Sequence, residues 1–164
     1  MRLPSLFLAL AGLVTIAPAP AAAAGTSPSF EGFAGRWACS GHFASGKPIA
    51  SRMSFESALQ GAGMVKRHDD VAPGGYHAVE VWGVSSKRGG FDMVVLDTFG
   101  GARHFVSDGW RGATLVWTGD AQVVPAQRFV YSRLDATHFR VDWQLSRDHR
   151  PFTMGDTLTC TRQP

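Results

Sequence analysis

The sequence lacks the short motifs that mark most metal centres and hydrolase active sites. None of the six histidines stands in an HxH or HExxH arrangement, the two cysteines form no CxxC pair, and no GxSxG segment is present. Serines such as Ser40, Ser51 and Ser57 have no identified base partner. The sequence therefore favours a binding protein over an enzyme, and it predicts no catalytic residues, no metal site and no cofactor.

Clusters of positive charge are missing as well. The 16 lysines and arginines are dispersed along the chain, and the formal net charge is only +3. Proteins that bind nucleic acids usually concentrate their basic residues on one patch or stripe. We therefore expect a mildly basic surface and no nucleic-acid partner.

Long apolar runs are confined to the beginning of the chain. Arg2 precedes the apolar run LFLALAGLVTI, and the following PAPAAAA has the Ala-x-Ala spacing of a signal-peptide cleavage site. Pro18 and Pro20 interrupt the run before it reaches the roughly 20 apolar residues of a membrane-spanning helix. We expect residues 1–24 to be a signal peptide, and the mature protein to be periplasmic or secreted, with no membrane insertion after cleavage.

Helical periodicity is absent from the rest of the chain, which alternates with period two instead. Phe139, Val141 and Trp143 alternate with polar residues, and Phe55 and Leu59 are expected to share an apolar face. Nine turn signals, from SGKP at 45 to RDHRP at 147, separate ten short strands. Ten strands with one apolar face predict an all-β protein, a closed antiparallel up-and-down barrel of about ten strands.

The chain after the leader is long enough for one domain. About 140 residues can bury roughly two-thirds of the surface that the unfolded chain exposes. We expect a single barrel domain over residues 34–164. Residues 25–33, GTSPSFEGF, look like a loosely attached segment that leads into it.

The two cysteines lie near the two ends of this domain. In an exported protein Cys39 and Cys160 are expected to pair, since oxidising compartments favour disulfides. The bridge would close a loop of about 120 residues and, on the chain-entropy model, stabilise the fold by up to about 4–5 kcal/mol. Both cysteines fall on the apolar sides of their strands, so the bridge would bring the first strand beside the last and close the barrel. Two unpaired buried thiols are the alternative.

Several stretches carry a resemblance to known proteins. The segment FEGFAGRWACSGHF contains Gly35 and Trp37 in a Gly-x-Trp motif and resembles the first strand of lipocalin-like (calycin) barrels, in which this motif closes one end. The runs HDDVAPGGYHAVEVWGV, FDMVVLDTFGGARHFVSDGW and MGDTLTCTR are similar to exported bacterial proteins of the DUF1579-type group, which is related in pattern to ten-stranded nitrobindin-like barrels. The resemblance implies a lipocalin-like barrel that Gly35 and Trp37 close at one end, and Gly41 is expected to permit close backbone approach.

Two groups of polar residues stand out beside turns. On a strand His68 and Asp70 would project together and could supply two metal ligands, although a solvated strand end is the simpler interpretation. Asp97 follows a hydrophobic strand and precedes a Gly-Gly turn. We expect it to cap this turn or to pair with Arg103 across the hairpin.

The inward face of residues 76–84 stays open at this point. Glu80 and Trp82 share one face of the strand, whereas Val79 and Val81 share the other. Glu80 is therefore a possible inward carboxylate.

The aromatic content is the strongest indication of function. The chain contains 11 phenylalanines, five tryptophans and two tyrosines, and all of them except Phe7 follow the leader. A ten-stranded barrel is wide enough to enclose one small ligand. We therefore expect the barrel to bind a small apolar or amphipathic molecule. The inward-facing residues expected to line the cavity are Met53, Phe55, Phe105, Trp117, Phe129, Tyr131, Phe139 and Trp143.

Two alternatives remain. The aromatic side chains could pack a dry core, in which case the protein is a structural or interaction module. A nitrobindin-like haem protein would need an axial ligand projecting inwards near the last strand. MGDTLTCTR contains no histidine and His149 lies in the preceding loop, so no haem is expected.

Overall fold

The computed structural model describes residues 30–87, 89–148 and 150–164. The predicted signal peptide, residues 1–24, lies outside the described residues, as do residues 25–29 of the lead-in segment and His149. None of the helical segments in this part of the chain has the length and hydrophobicity of a membrane span.

Within the described residues, one antiparallel sheet of eleven strands accounts for nearly all of the secondary structure. The strands are β1 Gly35–Phe43, β2 Pro48–Ala58, β3 Gly63–Ala72, β4 His77–Ser85, β5 Gly90–Asp97, β6 Ala102–Ser107, β7 Trp110–Arg111, β8 Thr114–Gly119, β9 Ala126–Arg133, β10 His138–Ser146 and β11 Thr153–Arg162.

Pairing of the strands at two seams closes this sheet into a barrel. Strands β1 to β6 pair in chain order, as do β8 to β11, while β1 pairs with β11 and β6 pairs with β8. Among the described strands, the two-residue strand β7 pairs only with β8, and it lies outside the ring of ten. The predicted all-β, antiparallel up-and-down barrel of about ten strands is confirmed.

Alternation along the strands decides which side chains enter the barrel. Phe139 and Val141 of β10 are buried, whereas Arg140 between them is exposed. Alternation fails at Leu59, which was expected on the same apolar strand face as Phe55 but is 69% exposed. Strand β2 ends at Ala58, and Leu59 begins a 3-10 turn with φ of +51°, so the period of two no longer applies to it.

An aromatic plug fills one end of the barrel. The 3-10 segment Glu31–Phe33 inserts Phe33 among five rings, those of Phe55, Trp82, Trp110, Tyr131 and Phe139, at centroid distances of 5.2–5.7 Å. Phe30 and Phe33 are both buried. The expectation that residues 25–33 are loosely attached is therefore wrong for residues 30–33, because their two phenylalanines belong to the core.

Trp37 and Arg162 hold the plug in place. The indole Nε1 of Trp37 donates to the carbonyl oxygen of Phe33 at 2.7 Å, and the Arg162 guanidinium lies 4.3 Å from the centre of the Trp37 ring. Arg162 also donates to the carbonyl oxygens of Gly32 and Ala34. Trp37 thus lies at the closed end.

The backbone at this end needs Gly35. Its φ of +117° disfavours any residue with a Cβ, and an added Cβ would lie 3.0 Å from Arg162. Sequence reasoning placed Gly35 at this closure.

The seam between the first and last strands carries the disulfide. Cys39 and Cys160 are register partners on β1 and β11, and they form the predicted bridge. Both cysteines are buried inside the barrel. Two residues further on, a Cβ at Gly41 would lie 1.8 Å from the carbonyl oxygen of Thr157, so this close backbone approach requires glycine.

Candidate functional site

The end of the barrel opposite the plug contains a cavity of about 450 Å³. This volume lies within the range of roughly 300–1,000 Å³ that is typical of small-molecule sites. Its apolar wall is formed by Phe43, Ile49, Met53, Phe129, Val141 and Trp143. The loop at residues 73–76 and Phe99 of the next hairpin lie at the rim.

Half of the residues that the sequence predicts for the cavity lie there. Met53, Phe129, Tyr131 and Trp143 line it. The other four, Phe55, Phe105, Trp117 and Phe139, face into the barrel but do not line the cavity.

The four residues that were wrongly predicted to line the cavity belong to the filled part of the core. Phe55 and Phe139 contact the plug residue Phe33, Trp117 packs 5.2 Å from Trp82, and Phe105 packs against Phe129. Alternation identifies the inner face of a strand but not the depth of a residue along the barrel axis, which is why the prediction included them.

A buried ion pair forms the floor of the cavity. Lys66 of β3 and Glu80 of β4 are register partners, and Lys66 Nζ lies 2.6 Å from Glu80 Oε1, with each side chain 2% exposed. The second carboxylate oxygen of Glu80 accepts from Trp82 Nε1 at 2.9 Å. From the opposite side of the barrel, the Tyr131 hydroxyl accepts from Lys66 Nζ at 2.9 Å. Because Trp82 and Tyr131 also contact Phe33, this network lies directly on the plug.

Two hydrogen-bond donors on this floor have no acceptor among the described residues. An ammonium group carries three N–H donors, and within the part of the chain that the structure describes Lys66 donates only to Glu80 and Tyr131. The Tyr131 oxygen accepts from Lys66, and no acceptor for the Tyr131 proton lies among the described residues. Burial, followed by the negative charge of Glu80, raises the pKa of Tyr131 well above its usual value, so this hydroxyl stays protonated.

His68 and Asp70 extend the polar lining towards the mouth. Their side chains project from the same face of β3, as predicted, and the structure shows that this face is the inner one. His68 Nε2 lies 3.1 Å from Asp70 Oδ1. Ser51 donates to the same oxygen at 2.7 Å. The simpler interpretation, a solvated strand end, is wrong, because the Asp70 side chain is only 7% exposed and His68 is buried.

Burial determines the charge of His68, whereas hydrogen bonding determines that of Asp70. Desolvation lowers the pKa of His68 more than its bond to Asp70 raises it, so at neutral pH the ring is uncharged and donates from Nε2. Desolvation opposes ionisation of Asp70 as well, but the hydrogen bonds from His68 and Ser51 outweigh it and leave the pKa of Asp70 below its usual value. Asp70 is therefore a carboxylate at neutral pH.

Asp156 of β11 is a third carboxyl group of the cavity lining, after Glu80 and Asp70, and is the register partner of Trp143. Burial, and then the negative charge of Asp70, raise the pKa of Asp156 to about 7. The cavity therefore gains a negative charge as the pH passes through neutrality.

Arg103 organises the side of the mouth formed by β5, β6 and β9. It pairs with Asp97, donates to Gln127 Oε1 at 2.7 Å and lies within 3.4 Å of the Tyr76 hydroxyl. The pairing of Asp97 and Arg103 predicted across the hairpin is present, and Asp97 also caps the turn by accepting from the Phe99 amide at 2.9 Å.

Sequence reasoning missed Lys66 altogether, although a signal was available. Lys66 lies at even spacing from Met64 and His68 on β3, and Glu80 lies at even spacing from Trp82 on β4. Opposite charges that share a face with large apolar residues on neighbouring strands indicate an inward ion pair. This pairing also settles the open face of residues 76–84: Ala78, Glu80 and Trp82 point inwards.

No protein-family model and no curated protein matches the chain.

Proposed function

We propose that this protein binds one small, uncharged amphipathic molecule in the barrel cavity. The apolar part of the ligand would lie against Phe129, Val141 and Trp143, and an oxygen atom of its polar part would accept hydrogen bonds at the floor. The observation that carries the proposal is the combination of an apolar wall with two buried donors, on Lys66 and Tyr131, that have no acceptor among the described residues. Buried donors of this kind favour a ligand that supplies the acceptor.

The charges around the cavity favour an uncharged ligand over an anionic one. Lys66 is balanced by Glu80, and Arg103 is balanced by Asp97. Asp70 adds a negative charge that His68 does not cancel, because the ring is neutral at pH 7. A carboxylate or phosphate would therefore meet net repulsion in a poorly solvated site. An alcohol, aldehyde or ketone carries no charge and would not be repelled.

The same proposal includes export. The disulfide is typical of proteins outside the cytoplasm. Together with the leader pattern at residues 1–24 it supports delivery to the periplasm or secretion. On the resemblance of its sequence, we propose a relationship to the DUF1579-type exported barrels.

A thermal-shift panel tests the binding proposal. Purified protein would be heated with 1-decanol, geraniol, cinnamyl alcohol and decanoate. A ligand that binds only the folded state stabilises it by about 2.7 kcal/mol at a hundredfold excess over Kd, so one or more of the neutral alcohols should raise the unfolding temperature and decanoate should raise it less. A panel that moves neither the unfolding temperature nor the tryptophan emission would favour a structural module instead.

Two matched tryptophan variants locate the response. Trp143→Ala removes a ring from the cavity wall, whereas Trp110→Ala removes a ring that stacks on Phe33 at the plugged end. We expect the ligand-dependent shift to be lost in Trp143→Ala and kept in Trp110→Ala. Because both variants lose packing, the comparison uses the shift produced by the ligand and not the unfolding temperature itself.

A further inference from the structure

The Lys66 amine on the cavity floor is placed for covalent chemistry. It is the buried member of three lysines, since Lys47 and Lys87 are exposed, and it lines the cavity. We propose that Lys66 captures an aldehyde ligand reversibly, by forming an imine with the carbonyl carbon. This inference depends on the proposed function, because the same cavity must first admit the aldehyde.

Glu80 is placed to accept the proton that Lys66 must lose before it can act as a nucleophile. An ammonium ion has no lone pair, so Nζ must lose a proton before it can attack a carbonyl carbon. Glu80 Oε1, 2.6 Å away, can accept that proton in one step. The transfer leaves a neutral amine beside a neutral carboxylic acid, and so it buries no isolated charge.

Tyr131 is positioned to donate a hydrogen bond to the carbonyl oxygen of the aldehyde. Its hydroxyl oxygen lies 2.9 Å from Nζ, and its proton has no acceptor among the described residues. A carbonyl oxygen bound at the floor would accept that proton in a hydrogen bond, which stabilises the negative charge that develops on the oxygen during attack. The same buried environment that keeps Tyr131 protonated maintains this donor.

The reaction balances within this set of groups. Nζ forms a bond to the carbonyl carbon while the π electrons move to oxygen, and the proton that Nζ releases passes to that oxygen to give a carbinolamine. Protonated Glu80 then donates its proton to the carbinolamine hydroxyl, which leaves as water while the C=N bond forms. The products are a protonated imine paired with the Glu80 carboxylate and one water molecule, so no oxidant or reductant is needed.

Reductive trapping tests the proposal directly. The purified protein, with its disulfide intact, would be incubated with cinnamaldehyde and sodium cyanoborohydride, digested and mapped by mass spectrometry. We expect one adduct, with the mass of the aldehyde less one oxygen atom, on Lys66 and at least about tenfold more of it there than on Lys47 or Lys87. Equal labelling of the three lysines, or labelling of the exposed two alone, would overturn the proposal.

Two variants separate covalent capture from simple binding. Lys66→Arg keeps a cation to pair with Glu80 but cannot form this imine, so the adduct should disappear. Glu80→Gln cannot shuttle the proton, so the rate of adduct formation should fall about tenfold or more. Adduct formation that is unchanged in Lys66→Arg would contradict the assignment to Lys66.

Cinnamyl alcohol distinguishes the failure of this inference from the failure of the proposed function. It has the shape of cinnamaldehyde but no carbonyl carbon. If the alcohol raises the unfolding temperature and the aldehyde gives no Lys66 adduct, the cavity binds ligands and the covalent step is wrong. If the alcohol does not bind and the aldehyde gives no adduct, both the proposed function and this inference are wrong.

Discussion

At the scale of single residues, Lys66 and Glu80 give the cavity its polar floor at an energetic cost. Removing both charges from water costs several kcal/mol, and hydrogen bonds from Trp82 and to Tyr131 compensate for part of it. An apolar pair of similar size would stabilise a barrel of this kind at least as well. A buried ion pair beside a cavity therefore points to binding more strongly than to stability.

Asp156 provides a prediction about pH. Its pKa is raised to about 7 in the folded protein, from 3.8 for an unperturbed side chain. Between these values the folded state retains a proton that the unfolded chain has released, so the free energy of unfolding decreases as the pH rises. His68 acts in the opposite direction, because its lowered pKa removes stability as the pH falls. Asp70 and Asp142 also repel an ionised Asp156, while Lys66 attracts it.

The variant Asp156→Asn isolates this effect from that of His68. The free energy of unfolding of the variant minus that of the wild type should increase by at least about 1 kcal/mol when the pH is raised from 5 to 8, since one pKa unit corresponds to about 1.4 kcal/mol. Urea unfolding at the two pH values measures the gain. Asp108→Asn, at an exposed position, is the control and should show no such change. A stability difference between Asp156→Asn and the wild type that does not vary with pH would contradict the raised pKa.

At the scale of elements, the short segment at residues 30–33 does more than lead into the barrel. Phe33, only 1% exposed, contacts five aromatic rings contributed by strands β2, β4, β7, β9 and β10. The segment therefore divides the barrel interior into a filled half and a half with a cavity.

Truncation of the plug residue Phe33 should lower the free energy of unfolding. Phe33→Ala removes a buried ring and leaves a cavity, for which we expect a loss of about 3–5 kcal/mol in the free energy of unfolding. Phe99→Ala at the rim, where the ring is 83% exposed, should change it by less than about 0.5 kcal/mol. Denaturant unfolding followed by tryptophan emission compares the two. Similar small losses would mean that the plug is not part of the core.

Strands were predictable from this sequence to different degrees. In β10 every second residue is apolar, so alternation identified the inner face of Phe139 and Val141 directly. In β3 and β4 the charged residues Lys66 and Glu80 lie on the inner face, while the apolar residues Val79 and Val81 point outwards. Around the cavity these strands therefore have the opposite arrangement to β10, whose apolar residues Phe139 and Val141 point inwards. Period two identifies which residues share a face, but only pairing between strands reveals that a charged face is the inner one. The plug was not predictable from alternation, because its residues are not in a strand.

At the scale of the whole molecule, the disulfide joins the first and last strands of the barrel. The bridge spans a sequence separation of 121 residues and links the first strand to the last. Titration of thiols in denaturant without a reducing agent should find essentially no free sulfhydryl. Reduction should lower the free energy of unfolding by up to about 4–5 kcal/mol on the chain-entropy model, and Cys39→Ala/Cys160→Ala should match the reduced protein. Two reactive thiols in the native preparation would contradict this account.

Calorimetric titration with 1-decanol measures whether the cavity in the open half of the barrel binds an amphipathic ligand. We expect one molecule bound per chain, with a negative heat-capacity change because apolar surface is buried. Val141→Phe, which adds volume at the cavity wall, should abolish the binding, whereas Trp110→Phe at the plugged end should leave it intact. Saturable one-to-one binding that only Val141→Phe removes would support the account. No binding to the folded wild-type protein, or equal binding to Val141→Phe, would contradict it.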